Sequence, residues 1–151
     1  MKRDFRFKVD VPKYIYPTGK AGEKFSDGLK KGVIYAAYCG ECDNYMMPPS
    51  IYCPRCFSEI KQFREVTHMY LDLYTVVLKD FYGRDLDEPV IYGFIRFEVE
   101  DKEVEGGLIH RIHVDNLDDL ILGAEVEPVF KDVKERRGIV TDILYFRLKS
   151  D

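Results

Sequence analysis

Four cysteines are the residues whose types and spacing most clearly indicate chemistry in this sequence. They form two C-x-x-C pairs, Cys39 with Cys42 and Cys53 with Cys56, and ten residues separate the pairs. Each such turn directs two sulfur atoms toward one point, and two turns complete a tetrahedral shell of thiolates. Soft thiolates in this geometry select zinc, or else iron, so we predict one metal ion, preferably Zn²⁺. Redox-active dithiols or disulfides are the competing interpretation.

A metal ion surrounded by four protein sulfurs has no position left for water or substrate. Such an ion cannot act as a Lewis acid, so its predicted role is structural. We expect it to hold together the ribbon, defined as residues 33–62, because so short a stretch cannot form a sufficient core of its own. The cysteine pattern therefore indicates a binding or accessory protein rather than an independent enzyme.

The three histidines provide weaker evidence for chemistry. His110 and His113 lie three residues apart on one predicted strand, so their side chains should point to opposite faces. His110 falls on the apolar face, which predicts a hydrogen-bonded core residue, whereas His68 has no evident partner. The sequence shows no serine elbow, no phosphate-binding glycine loop and no cysteine outside the two pairs. We therefore predict no catalytic residue.

Strands must position most of these residues, because apolar and polar residues alternate over the second half of the chain. This period of two predicts five half-buried strands, at residues 69–78, 91–99, 108–114, 124–130 and 140–148. A short helical turn at residues 116–120, capped by Asp115, separates the third strand from the fourth. Five strands with a helical element in this place follow the order of an OB-fold barrel.

A short helix is predicted before the ribbon. Ala21, Phe25 and Leu29 recur every four residues over residues 19–31 and form one apolar stripe, and Gly32 fits the left-handed position just past the helix end. The predicted fold is therefore mainly β, in three parts. They are an N-terminal arm and short helix (residues 1–32), the ribbon (33–62), and the barrel, which we define as residues 63–151.

Two segments of this layout suggest contacts with other molecules. The aromatic residues of the first 18 positions either pack on their own domain or dock on a partner. The loop between the fourth and fifth strands borders the usual binding face of an OB barrel. The loop carries four cations, Lys131, Lys134, Arg136 and Arg137. They could bind the phosphates of a nucleotide-like ligand such as coenzyme A, although a solvated hairpin tip is the plainer interpretation.

Composition narrows the classes of function. A length of 151 residues suits one compact domain or a small module attached to a larger one. A hydrophobic content of 46% is enough for a real core. With 23 basic and 27 acidic residues the formal charge is -4, and such a chain is repelled on average by a phosphate backbone. The sequence contains no apolar run of ~20 residues that could span a bilayer, and its charged start does not look like a secretory signal. We therefore expect a cytoplasmic protein without a membrane partner.

The cysteine pairs and their surroundings resemble a widespread bacterial and archaeal family of small proteins, in which a rubredoxin-like zinc ribbon precedes an OB-fold. The resemblance covers about residues 14–148 and includes the Leu-Gly-x-x-Val-x-Pro-x-Phe pattern within residues 120–130. Its most specific stretches are Gly22-Glu23-Lys24-Phe25, Leu29-Lys30-Lys31-Gly32, Tyr38-Cys39-Gly40-Glu41-Cys42, Met47-Pro48-Pro49 and Cys53-Pro54-Arg55-Cys56.

The resemblance implies a role as well as a fold. Members of the family associate with thiolase-superfamily proteins, either as scaffolds or by helping to form the acyl-CoA site, while the partner supplies the catalytic residues. The family's metal ligands correspond to the four cysteines, and no catalytic residue can be transferred. The main hypothesis is thus a non-catalytic accessory subunit of a thiolase-type acyl-CoA enzyme. A single-stranded nucleic-acid-binding module is the first alternative, and a stand-alone acyl-CoA enzyme is the second.

Overall fold

The computed structural model describes residues 17–149, and the aromatic start predicted to pack or dock lies largely outside this range. The described chain contains one α-helix, α1, and nine strands, β1–β9. No helix in this part is long and apolar enough to cross a membrane. In chain order the elements are α1 Gly19–Lys31, β1 Tyr35–Cys39, β2 Asn44–Met47, β3 Gln62–Glu65, β4 His68–Lys79, β5 Asp85–Val99, β6 Lys102–Gly106, β7 Leu108–His113, β8 Val126–Phe130 and β9 Ile143–Leu148.

The helix α1 forms where its apolar stripe is predicted. Ala21 and Leu29 are buried, and Phe25 packs against the barrel core. The helix ends at Gly32, which has φ 81° and donates its backbone N–H to the carbonyls of Gly28 and Leu29. A residue with a side chain is disfavoured in this left-handed conformation, so glycine sets the helix end. The helix thereby seats Leu29 in the same core as the barrel strands.

Five strands close into the predicted barrel. β4 pairs with β5, β5 with β7, β7 in parallel with β9, and β9 with β8. The ring closes where Leu71 on β4 donates its N–H to the carbonyl of Ala124 and accepts one from Gly123, at 3.0 and 2.7 Å. This order, with a helical turn between the third and fourth barrel strands, is that of an OB-fold, and the predicted fold class is confirmed.

The barrel core consists mainly of the inward-facing residues of these strands. Four residues of the ribbon also pack into it, namely Ile34, Ala36, Tyr45 and Met47. On β5 every second residue from Ile91 to Val99 is buried, as the period of two predicts. The largest fully buried side chains include Phe97, Phe146 and Leu71. The outward residues of the same strands stay partly or fully exposed, which leaves the outer wall of the barrel available for contacts.

The ribbon is hydrogen-bonded to the barrel and does not hang from it as a separate hairpin. β1 pairs with β2 and β3, and β2 pairs in parallel with β6, which continues the barrel hairpin beyond β5. Polar contacts reinforce this seam, because Lys102 on β6 binds Asp43 at 2.7 Å and Glu105 accepts a hydrogen bond from Asn44 at 2.6 Å. The predicted boundary after residue 62 falls within β3.

The structure differs from the sequence expectations in local details. The helical turn is a 3₁₀ turn, Leu117–Asp119, and Asn116 rather than Asp115 caps it by accepting the N–H of Asp118. The last barrel strand begins at Ile143, because Val140–Asp142 forms another 3₁₀ turn. A third 3₁₀ turn, Val133–Glu135, lies in the loop before it. The strands β2, β3 and β6 were not predicted, since they are short and lack an alternating pattern.

Candidate metal centre

The first cysteine pair lies at the tip of the β1–β2 hairpin. Cys39 is the last residue of β1 and stands opposite Asn44, the first residue of β2. Between them the chain turns back through Asp43, which has φ 48°. This turn aims the sulfurs of Cys39 and Cys42 at the same point beside the second pair.

The second pair forms a matching turn. The N–H of Phe57 bonds the carbonyl of Cys53 at 2.9 Å, and the N–H of Cys53 bonds the carbonyl of Ser58 at 3.0 Å. Phe57 follows the last cysteine and has φ 60°, so both turns end on a residue in the left-handed region. A bulky residue such as phenylalanine is uncommon in this conformation, and the side chain of Phe57 is 78% exposed.

The four sulfur atoms have the spacing of a tetrahedral metal shell. All lie within 4.8 Å of one another, with Cys39 Sγ 3.6 Å from Cys56 Sγ and Cys53 Sγ 3.9 Å from Cys42 Sγ. A zinc ion with Zn–S bonds of about 2.3 Å requires sulfur–sulfur edges of about 3.8 Å. These separations are too long for a disulfide bond, in which the sulfurs are about 2.05 Å apart. The arrangement suits one structural zinc ion, as predicted.

The hydroxyl of Ser58 contacts two of the sulfurs and was missed by the sequence reasoning. Its Oγ lies 2.9 Å from Cys56 Sγ and 3.3 Å from Cys39 Sγ. These hydrogen bonds lower the pKa of Cys56 to about 6 and also lower the pKa of Cys39. By contrast, hydrogen bonding to Cys56 and burial raise the pKa of Cys42 to about 12. Ser58 thus stabilises the thiolate form that a metal requires.

The basic loop between β8 and β9 leaves only some of its four cations free to bind a ligand, because Arg136 contacts other parts of the chain. Arg136 donates from Nε to the carbonyl of Lys131 at 2.7 Å, and its guanidinium lies 5.1 Å from the ring of Phe130. It also reaches the carbonyl of Lys30 at the end of α1, where a cation is favoured. Lys134 and Arg137 are exposed, and Lys131 is half-buried.

The side chain of Asp142 fixes the backbone of this basic loop through hydrogen bonds. Its carboxylate is fully buried, and Oδ2 accepts the backbone N–H groups of Arg137, Gly138 and Ile139 at 2.6–3.1 Å. Burial acts to raise the pKa of Asp142, but these three hydrogen bonds outweigh it, and the pKa lies below its usual value. The sequence gives little sign of this role, since one aspartate in an alternating strand pattern looks like a surface residue.

The histidines remain separate from one another and from the cysteines. His110 packs edge-on against Phe146 with 5.6 Å between the ring centres, while His113 points outward and is exposed, so their opposite orientation is confirmed. Burial lowers the pKa of His110, but its Nδ1 has no hydrogen-bond partner in residues 17–149, so the predicted hydrogen bonding of this residue is not found at Nδ1. His68 does have a partner, Glu125, at 2.9 Å.

Comparison with known proteins bears on the ribbon most directly. Residues 26–62 match the family model of the ChsH2 rubredoxin-like zinc ribbon domain. This segment is a rubredoxin-like zinc ribbon. It covers both cysteine turns, and the resemblance seen in the sequence is confirmed. No curated protein matches the chain at a significant level.

Solved structures extend the likeness beyond the zinc ribbon. A crystal structure of a DUF35-family protein of unknown function from Sulfolobus solfataricus is 29% identical, with a TM-score of 0.66, and the match covers 88% of this chain and 87% of that one. The structure described as the Ltp2-ChsH2(DUF35) aldolase has a TM-score of 0.59 at 16% identity, with 86% and 95% covered. At that identity the second likeness concerns the fold alone.

Proposed function

We propose that this chain is a non-catalytic accessory subunit of a thiolase-superfamily enzyme that acts on acyl-CoA. In this proposal Cys39, Cys42, Cys53 and Cys56 hold one structural zinc ion, and the catalytic residues belong to the partner chain. The observation that carries the proposal is the closed sulfur shell, whose four ligands leave no coordination position for a substrate. The likeness in fold to a protein described as an Ltp2-ChsH2(DUF35) aldolase supports assembly with an enzyme subunit.

The surroundings of two histidines, His68 and His110, support a non-catalytic role. His68 and Glu125 form the only hydrogen-bonded histidine–carboxylate pair within residues 17–149, and Glu125 also binds Lys149 at 2.7 Å. No serine, threonine or cysteine in that range hydrogen-bonds either His68 or His110, so neither histidine is placed to activate a nucleophile.

The outer wall of the barrel provides a surface for a partner. Leu73, Phe94 and Ile109 lie side by side across β4, β5 and β7, and Leu73 and Ile109 are 60% and 73% exposed. In the next row Tyr92 stands between Thr75 and Arg111. Contiguous apolar surface of this kind on a soluble domain often marks a protein interface. A subunit contact on this wall would cover it.

We further propose that this chain contacts coenzyme A. An open depression of about 410 Å³ lies beside β7 and β9 and is lined mainly by apolar side chains, including Tyr92, Ile109 and Leu144. This depression adjoins a second one that is lined by the basic loop, and Thr141 lines both depressions. An acyl or pantetheine chain suits the apolar depression, and phosphates suit the cations. Since Arg136 is engaged with α1 and Phe130, we assign the phosphate contact mainly to Lys131, Lys134 and Arg137.

Co-purification tests the main proposal. A tagged full-length chain expressed in its native host should retain a thiolase-like catalytic chain in fixed stoichiometry through gel filtration at physiological salt. Mass spectrometry identifies the retained chain, and elemental analysis should find one zinc per copy of this protein. Recovery of the chain alone, under several purification conditions, would contradict the proposal. Salt-dependent binding to a single-stranded oligonucleotide would instead favour the nucleic-acid alternative.

A charge reversal tests the coenzyme A contact separately. In the purified complex, Lys134→Glu combined with Arg137→Glu should raise the Kd for acyl-CoA by about tenfold or more, because attraction to the phosphates becomes repulsion. The matched control is Lys20→Glu combined with Lys61→Glu, which changes charge equally outside the basic loop. An unchanged Kd in the loop variant would place coenzyme A elsewhere while leaving the accessory role intact.

A further inference from the structure

The hairpin that joins β4 to β5 extends beyond the barrel. β7 pairs with β5 only from Ile91 to Ile95, and the contacts of β4 with the β8 side of the barrel lie near Tyr70 and Leu71. From residue 77 to residue 90 the two strands therefore pair only with each other within the described chain. We call residues 77–90 the β-arm. An isolated two-stranded hairpin is marginally stable in water, so such an arm needs internal support or a covering surface.

The tip of the β-arm is held in one shape by the side chain of Asp80. Its Oδ1 accepts the N–H of Tyr82 at 2.8 Å and that of Arg84 at 2.9 Å, and its Oδ2 accepts Arg84 Nε at 2.7 Å. The backbone adds a bond from Asp80 N–H to the carbonyl of Arg84 at 2.8 Å, and Gly83 turns the chain with φ 80°. The tip is therefore ordered before any partner arrives.

This ordered tip presents two aromatic side chains to solvent. Phe81 is 95% exposed and Tyr82 is 79% exposed, and their rings meet edge to face with 5.5 Å between centres. The guanidinium of Arg84 lies 5.3 Å from the Tyr82 ring and supports it from behind. Rigid aromatic side chains lose little conformational entropy on binding and are enriched among the residues that dominate interface energies.

Charge indicates what kind of surface the β-arm fits. Its residues include two cations and four acids. Lys79 pairs with Asp85 at 2.9 Å and Arg84 pairs with Asp80, which leaves Asp87 and Glu88 without an ion partner in residues 17–149. An acidic arm is repelled by nucleic acid and by anionic lipid, and two such arms would repel each other. The complementary surface is an apolar pocket with a basic rim on a protein of another kind.

We propose that the β-arm anchors this chain to its catalytic partner, with Phe81 and Tyr82 inserted into an apolar pocket whose rim is basic. This inference rests on the proposed accessory function and adds the segment that provides the main attachment. The aromatic pair fills the pocket, Asp80 keeps the tip in its bound shape, and the unpaired acids face the cations of the rim.

The test measures the affinity of the full-length chain for the catalytic subunit isolated from the wild-type complex. Replacing both Phe81 and Tyr82 with alanine should raise the Kd by about 30-fold or more, the range of a hot-spot loss. Tyr82→Phe keeps the aromatic ring and should bind nearly as wild type. Ile121→Ala removes an exposed apolar side chain outside the β-arm and should have little effect. An unchanged Kd for the double variant would overturn the inference while leaving the accessory function standing.

A crosslinking experiment identifies the molecule that contacts the tip of the β-arm and does not depend on the double variant. Benzoylphenylalanine placed at position 81 of the zinc-loaded chain should, on irradiation, link to the catalytic subunit at residues that line an apolar pocket. Links to a second copy of this chain, or to its own N-terminal segment, would overturn the inference. If the wild-type chain retains no catalytic subunit at all, the accessory function itself fails, and the inference fails with it.

Discussion

The zinc ribbon and the barrel are both built from mainly antiparallel strands, but they are stabilised in different ways. The small buried cluster of the ribbon contains Ala37, Met46 and Ile60 together with the cysteines Cys39 and Cys53. The barrel instead buries large apolar side chains from every strand. Where cysteines replace apolar residues in a core, metal bonds must supply the stability that burial would otherwise provide. We therefore expect the cysteine turns of the zinc ribbon to depend on metal and the barrel to depend on hydrophobic burial.

Removal of one metal ligand should have the largest effect, because it should unfold the zinc ribbon while the barrel stays folded. We expect Cys53→Ser to abolish stoichiometric zinc binding and to unfold the zinc ribbon, because structural zinc contributes on the order of 10 kcal/mol to such folds. Elemental analysis and NMR spectra resolve the two regions. Amides of residues 33–62 should lose their dispersion, while those of β7 and β9 keep it. A ribbon that stays dispersed without zinc would contradict the metal dependence.

A cavity in the barrel core should show the opposite pattern. Phe97 is fully buried, and Phe97→Ala should lower the free energy of unfolding by roughly 3–5 kcal/mol because it removes a large buried side chain and leaves a cavity. Urea denaturation measures the loss, and zinc content under native conditions should stay at one per chain. Loss of zinc from folded Phe97→Ala protein would show that the two regions do not depend on separate interactions.

The buried carboxylate of Asp142 should make the barrel sensitive to acid. Its pKa is below that of the unfolded chain, so its contribution is present at neutral pH and is lost as the pH falls through the folded-state pKa. Asp142→Asn should therefore cost about 2 kcal/mol at pH 7, and the difference from wild type should shrink below about pH 4. Denaturation of both proteins at each pH measures this difference, in which zinc loss largely cancels. A difference that stays constant would argue against an ionised Asp142.

A smaller effect is expected at the second cysteine turn. Phe57 adopts φ 60° while largely exposed, so Phe57→Gly relieves backbone strain with little loss of burial. The ribbon should become more stable by up to about 1 kcal/mol, measured by hydrogen exchange of its amides. Asp43→Gly is the matched control in the first turn, where the gain is offset by loss of the contacts with Lys102 and Tyr38. A destabilised Phe57→Gly ribbon would show that the side chain packs in place.

The sequence predicts the parts of this molecule that depend on local patterns. Two C-x-x-C turns indicate the metal site because the ligand spacing is itself local, and the five barrel strands follow from alternation along each strand. The seam between β2 and β6 could not be predicted, since it pairs residues about 60 positions apart and β6 is short and polar. Ser58, Asp80 and Asp142 were missed for a related reason. Each acts through hydrogen bonds whose geometry exists only once the turn around it has formed.

X-ray absorption spectroscopy of the zinc-loaded protein measures whether the metal has an open coordination position. We expect four sulfur neighbours at about 2.3 Å and no nitrogen or oxygen bonded to the zinc. Addition of acyl-CoA and of the catalytic subunit should leave this shell unchanged. A light-atom neighbour at about 2.0–2.1 Å, whether present at rest or appearing with substrate, would reveal an open coordination position and contradict a purely structural metal.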